Sequence, residues 1–167
     1  MPESISDRDV LASIPDWNLV ALPPDQTSFE TGQVIDVEAR DTVTMAPELV
    51  RLTLNMAMTH TDVNRSVYNK RLVYGGHTIS MAASQLARVL PSIGMILCWY
   101  KCDHVAPVFE EDILASRIHV HEVIKLPESR MLKLAIEVFA ERITDAGKTE
   151  SNIKVLDWHL AVLTGSN

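Results

Sequence analysis

His60 and Asp62 stand two residues apart in "NMAMTHTDVNRSVYNKRLVYGGHTIS", Asn55 to Ser80, and the same stretch carries a Gly75-Gly76 pair that opens an apolar helical pattern. An imidazole exchanges a proton near neutral pH, the usual requirement for acid–base work. Asn55 precedes His60 in the same stretch; its amide donates and accepts hydrogen bonds but takes no proton. Asp62 has two readings, a base or a local cap that holds backbone N–H groups. Gly75 and Gly76 read either as a plain turn before a helix or as the place where a ligand oxygen reaches backbone N–H groups at the positive end of the helix dipole. The second reading is an oxyanion-hole arrangement, suited to polarising a thioester carbonyl. A proton carrier beside such a helix end suits chemistry at the α and β carbons of an acyl group.

Other residues offer chemistry with less definition. His77 falls in the first helical turn, as a cap, a packing residue or a substrate contact. Lys70 and Arg71 read as a solvated charge pair or as partners for CoA phosphates or a substrate carboxylate. His119 and His121 share one face of a strand pattern with Glu122 pointing away; no third ligand is evident, so no metal site is expected. Met45, Met56, Met58 and Met81 read as core or acyl-pocket lining, and Trp99 and Trp158 as packing residues. Cys98 and Cys102, in "CWYKC", would sit on one face of a strand roughly 13 Å apart, too far for a bridge. They are expected to be reduced thiols of a cytoplasmic protein.

The elements that must position these groups follow from the patterning. The chain has 167 residues, 47% of them hydrophobic, 22% charged, with a formal net charge of −7. That suits one domain with a real core and disfavours a general nucleic-acid or membrane-surface binder, which needs a basic face. "MPESISDRDV" has no apolar core of a signal peptide, and no apolar run approaches membrane-spanning length. Residues 1–31 read as an irregular segment broken by "LPPD", with a short helix near an N-cap Ser6. Residues 32–167 read as one domain. "GQVIDVEARDTVTM" alternates like a strand. "APELVRLTLNMAM" reads as a helix of about three turns carrying Leu49, Leu52, Leu54 and Met56. Ile79, Ala82, Ala83, Leu86, Val89 and Leu90 recur at helical spacing, and Pro91 and Gly94 end that helix. Four strand-like runs follow, with "LPES" and "TDAGKTE" as turns. In the third, Leu132, Leu134, Ile136 and Val138 share one face, and Lys133, Glu137 and Glu141 the other. One long helix followed by a run of long strands implies an α+β fold with an antiparallel sheet wrapped around the helix.

Asn55-x-x-x-x-His60-x-Asp62 followed by Tyr74-Gly75-Gly76-His77 resembles the MaoC-like hydratases of the hot-dog fold. That family writes its catalytic stretch D-x-N-P-x-H. "HVAPVFEEDIL", His104 to Leu114, resembles the family's second signature, with Glu111 where Gly is usual. The resemblance covers roughly residues 32–163 and is nearest the branch acting on mesaconyl-CoA or β-methylmalyl-CoA. It implies a single hot-dog domain and a hydro-lyase that adds or removes water at the α,β position of a short, branched or dicarboxylic acyl-CoA. His60, Asn55 and Asp62 are then the catalytic candidates, and Tyr74, Gly75, Gly76, His77 and Arg71 the substrate-binding ones. Coenzyme A enters only as part of the substrate, with no further cofactor and no metal. A homodimer is expected. Here the usual Asp is Asn55, and the usual Asn-Pro pair is Ala57-Met58. An amide is no general base, so His60 becomes the sole titrating catalyst and Asn55 holds the water. Two alternatives remain: a hot-dog thioesterase, with Asp62 as the only nearby carboxylate, and a non-catalytic acyl-CoA-binding hot-dog protein.

Overall fold

The computed structural model describes residues 5–16, 22–24, 28–144 and 146–166. Helix α3, Gly75–Val89, is the centre of the molecule. The antiparallel sheet runs β1 (Val34–Asp36), β4 (Ile113–Lys125), β5 (Ser129–Ile143), β6 (Thr149–Gly165) and β3 (Ile93–His104), and β2 (Asp41–Thr42) also pairs with β4. α3 presents Ala82 and Leu86 to the sheet's inner face, where Leu132, Leu134, Ile136, Val138, Leu156, Trp158 and Leu160 are all buried. The small Ala82 lets helix and sheet approach closely. This is the helix-wrapping α+β arrangement the patterning implies.

β5 takes its face assignment from strict alternation. The outward side chains form an ion-pair lattice, with Lys154 Nζ 2.7 Å and His119 Nε2 3.0 Å from Glu137. The turns fall at the two expected places: Leu126 N–H donates to Ser129 O, and Thr144 N–H to Lys148 O, with Gly147 at φ 72° supplying the left-handed residue. The helix near Ser6 is α1, Asp7–Ala12, whose Asp9 N–H donates to Ser6 Oγ. It docks on the outer face of the sheet: Val10 packs with Met131 and Ala161, and Asp7 pairs with Lys133 at 2.6 Å.

Several expectations are corrected. The strand read across residues 32–45 is two short strands. Asp36 pairs with Arg117 and Asp41 with Leu114, so five positions advance against three and two extra residues bow out between them. α2 spans only Ala46–Leu52. Thr53 Oγ1 turns back to Leu49 O, and Leu54 then takes φ 55°, which ends the helix. Its buried residues are Ala46, Pro47 and Val50, not the leucines of the pattern; Leu54 is 79% and Met56 87% exposed. Met45 and Met58 are exposed too, and of these four methionines Met81 alone packs on the core. Trp158 is buried, whereas Trp99 is half exposed and meets it edge-on at 5.2 Å.

The two cysteines are free but do not share a face. Irregularities in β3 between Ile96 and Cys98 and between Trp99 and Lys101 break the alternation. Cys98 packs beside α1 and Cys102 against the main core. His119 and His121 alternate with buried Ile118 and Val120, as a shared outward face requires; the first bonds Glu137, and the second lies with its ring centroid 5.7 Å from that of His159. Among the described residues no three His, Cys, Asp or Glu side chains are grouped to hold a metal, and no helix is long and apolar enough to cross a membrane.

Candidate active site

α3 begins at Gly75 with Tyr74 as N-cap, and no side chain caps it. In its first turn His77 N–H donates to Tyr74 O at 2.8 Å, while the N–H groups of Gly75 and Gly76 have no helical carbonyl before them to bond. The chain preceding it, residues 53–74, is a loop with two short 3₁₀ turns, Met58–His60 and Val63–Arg65. Leu72 N–H donates to Thr59 O, which folds this loop back beneath the helix start.

His60 is one of the loop's buried residues, 9% exposed. Its Nδ1 lies 2.6 Å from Leu72 O. A carbonyl only accepts, so Nδ1 carries the hydrogen and Nε2 is left as the acceptor, the form a proton-accepting base requires. Tyr74 meets the His60 ring edge-on at 6.0 Å.

The two sequence signatures meet here. Leu72 forms an isolated bridge with Phe109, and Val73 N–H donates to Val108 O. The second signature therefore walls a cleft of about 360 Å³ that is lined by His60, Tyr68, Gly75, Thr78, His104 and Val108, among others. A second cleft of about 610 Å³ runs along α3 past Tyr74, Gly76, Ile79, Trp99 and Trp158, and Gly75 and His104 line both. The wall is braced from behind. Asp112 is buried, accepts from Phe109 N–H at 3.0 Å, and pairs with Arg142 at 2.9 Å. Burial pushes the Asp112 carboxyl up, opposed by Arg142 and the Phe109 amide. Glu111, where the family signature has Gly, stands at φ 70°, a left-handed conformation that explains why glycine suits the position.

The other candidates take different places. Asn55 Oδ1 accepts from Ala57 N–H at 2.9 Å, and Asn55 does not line the cleft. Asp62 N-caps the second 3₁₀ turn, accepting from Asn64 N–H at 2.9 Å, which is its local-cap reading. Arg71 pairs with Glu110 and lines a surface hollow with Lys70 and Phe109, away from His60. His77 lines neither cleft; its Nδ1 is buried without a partner, and burial pushes its pKa down. The glycines have a close reason for lacking side chains. A Cβ on Gly75 would stand 2.6 Å from His104 Nε2, and one on Gly76 2.5 Å from the Tyr74 ring.

Sequence patterning does not single out His104, which reads there only as the start of the second signature. The signal lies in the pairing of that signature with Gly75, visible once the chain is folded. Gln85 is similarly silent in sequence: fully buried on α3, it donates to Asp41 Oδ2 and Leu114 O, tying the helix to β2 and β4.

Fold and cleft together define a hot-dog domain with a buried imidazole at the start of its central helix. A protein from Mycobacterium tuberculosis, described as essential for bacterial survival during infection and as having a double hotdog fold, shares 41% identity with a TM-score of 0.70, over 80% of this chain and 38% of its own. A putative MaoC domain dehydratase from Chloroflexus aurantiacus superposes with a TM-score of 0.73 at 21% identity, over 100% of this chain and 50% of its own. An R-hydratase from Pseudomonas aeruginosa gives 0.62 at 21% identity, over 83% and 84%. The structural neighbours are thus MaoC-like dehydratases and R-hydratases with the hot-dog fold. The chain spans half or less of the first two of these proteins. No protein-family model and no curated protein matches the sequence.

Proposed function

We propose that the chain is a hydro-lyase that adds water reversibly across the α,β double bond of a short acyl-CoA. One observation carries this reading: His60 is held by Leu72 O in the tautomer that leaves Nε2 as acceptor, in the cleft that opens on the Gly75 end of α3. In the hydration direction, His60 Nε2 takes a proton from water as the water oxygen bonds Cβ. The double-bond electrons move through Cα onto the thioester oxygen, which the free N–H groups of Gly75 and Gly76 stabilise. His60 then returns the proton to Cα. Asn55 does not line this cleft and its Oδ1 is committed to Ala57 N–H, so in this reading it shapes the turn before His60 and His60 alone engages the water. The step moves only water and a proton, so it requires no redox group.

The smaller cleft fits a short acyl group. No Lys or Arg lines it. That favours a short monocarboxylic ester over the mesaconyl or itaconyl type, whose second carboxylate needs a cation. The thioesterase reading lacks its carboxylate, because Asp62 is engaged as a cap. A second hot-dog unit completes the protein in this reading. Among the described residues β3 is an edge of the sheet carrying exposed Trp99 and Tyr100, and the loop exposes Leu54, Met56 and Val67. Such an edge and patch call for cover. We propose a homodimer, in the cytoplasm, where free Cys98 and Cys102 stay reduced. The test is an enoyl-CoA panel of linear, branched and dicarboxylic esters read by mass spectrometry. A thioester that gains one water supports the proposal; release of free CoA, or binding without turnover, rejects it.

A further inference from the structure

We infer that His104 is a second imidazole of this cleft, placed to donate a hydrogen bond from Nε2 to the acyl carbonyl oxygen beside the Gly75 N–H. The inference rests on the hydro-lyase reading and adds to it a specific contact. His104 is the last residue of β3, paired in register with Leu156, so the sheet fixes its backbone. Its ring reaches across to the first residue of α3. The edge that approaches is the nitrogen edge: from the place a Gly75 Cβ would occupy, Nε2 is 2.6 Å, Cε1 2.9 Å and Cδ2 3.2 Å away. It therefore stands beside the helix end that meets the thioester oxygen. It also shares the smaller cleft with His60, so one ligand can touch both rings. The side chain is solvent-accessible, so a ligand can reach it without displacing core.

The two imidazoles divide the work by their surroundings. His60 donates Nδ1–H to a carbonyl and presents a lone pair. Desolvation pushes His104 below the ordinary imidazole range, which keeps it neutral, with one N–H to donate. A neutral imidazole polarises a carbonyl without transferring its proton. In the reaction above, His104 keeps its hydrogen throughout; the proton that leaves water goes to His60 and then to Cα. His104 lowers the energy of the enolate oxygen by a hydrogen bond that strengthens as charge develops there. It also accounts for Gly75 in this chain, since any larger residue would push the ring aside.

Four single variants, one double variant and one non-reacting probe test this. The probe is butyryl-CoA with a labelled carbonyl carbon, a saturated ester that cannot be hydrated, and its carbonyl band is read by difference infrared spectroscopy. In the wild type the band is expected to move to lower frequency on binding. His104→Phe should reverse most of that shift and lower kcat for crotonyl-CoA hydration by about 10²-fold, the usual effect of removing one oxyanion donor. His104→Gln, which keeps an N–H, should restore part of both. Gly75→Ala should resemble His104→Phe, yet cost little more when introduced into His104→Ala, because the clash is already gone. An unchanged band in His104→Phe, with kcat within about threefold of wild type, overturns the inference even if hydration is found. A band shift lost in His104→Phe sustains the contact even if no ester is hydrated, in which case the hydro-lyase reading alone fails. Butyryl-CoA that does not bind overturns both.

Discussion

The sheet strands β4 to β6 and the loop 53–74 are opposites in how they are held. The strands bury a continuous set of apolar side chains around α3, and their ladders run most of the strand lengths, with register shifts only at Val120/Glu122, Val138/Phe139 and Ala140/Arg142. In the loop only His60, Ser66 and Val73 are buried, while Leu54, Met56, Met58 and Val67 face solvent. The loop depends on a few bonds: Leu72 N–H to Thr59 O, His60 Nδ1–H to Leu72 O, and Val73 N–H to Val108 O. The proposed chemistry thus falls in the least supported region, next to the most supported one. The difference teaches that the site's position is set at two or three points, and that the loop's bare apolar residues are a place where a second hot-dog unit would stiffen it.

Substitutions separate the two regions by size of effect. Ile136→Ala, in the fully buried inner face, should cost about 2–5 kcal/mol of folding stability in denaturant titration, with the per-molecule activity of the folded fraction unchanged. His60→Ala should do the reverse. It should lower hydration by at least about 10²-fold while costing about 1–3 kcal/mol for the unpaired Leu72 carbonyl. A near-wild-type rate in folded His60→Ala protein would contradict the assigned role.

Asn55→Asp sharpens the loop side. The carboxylate keeps an acceptor for Ala57 N–H, so the turn should survive. Activity on crotonyl-CoA should persist or rise. Because Asn55 lies outside the cleft lining, linear and dicarboxylic esters should respond alike. A mesaconyl-to-crotonyl kcat/KM ratio changed by more than about threefold would place Asn55 against the substrate and contradict this. Leu54→Ser with Met56→Ser should shift folding stability of the monomer by about 0.5 kcal/mol or less, yet weaken self-association in light scattering. Equal association in the variant would leave that patch outside the interface.

The smallest effect lies where helix meets sheet. Arg88 beside Asp41 holds that carboxyl below its ordinary range, with Gln85 adding to it. A lowered folded pKa gives stability that is present above the unfolded value and lost as pH falls through the folded one. Partly exposed, the pair is worth about 0.2–1 kcal/mol. Arg88→Met should reduce stability by that amount at neutral pH, with the difference from wild type vanishing in acid, as read by thermal melts across pH.

The same contrast governs what the sequence reveals. β5 is legible because strict alternation is what burial on one face demands, and α3 because its small and apolar residues recur at helical spacing. α2 is misread because Leu52, Leu54 and Met56 mimic a buried stripe, while the chain leaves the helix at a left-handed Leu54. The faces of Cys98 and Cys102 are lost to irregularities in β3 that no periodicity records. At the site, the residues that act through local spacing, His60 and the Gly75 helix start, are visible in one stretch. His104 is not, since its meeting with Gly75 joins two distant segments by folding alone. Nor are the turn bonds of Asn55 and Asp62, whose side chains suit both chemistry and capping.

The most direct test of the central claim is crotonyl-CoA incubated with the protein in water enriched in heavy oxygen, with products analysed by mass spectrometry. The account predicts an intact thioester carrying the label as a hydroxyl on the β carbon, formed at least about 10²-fold more slowly by His60→Ala. Free CoA with the label in a released carboxylate, or unlabelled ester bound without turnover, would contradict it.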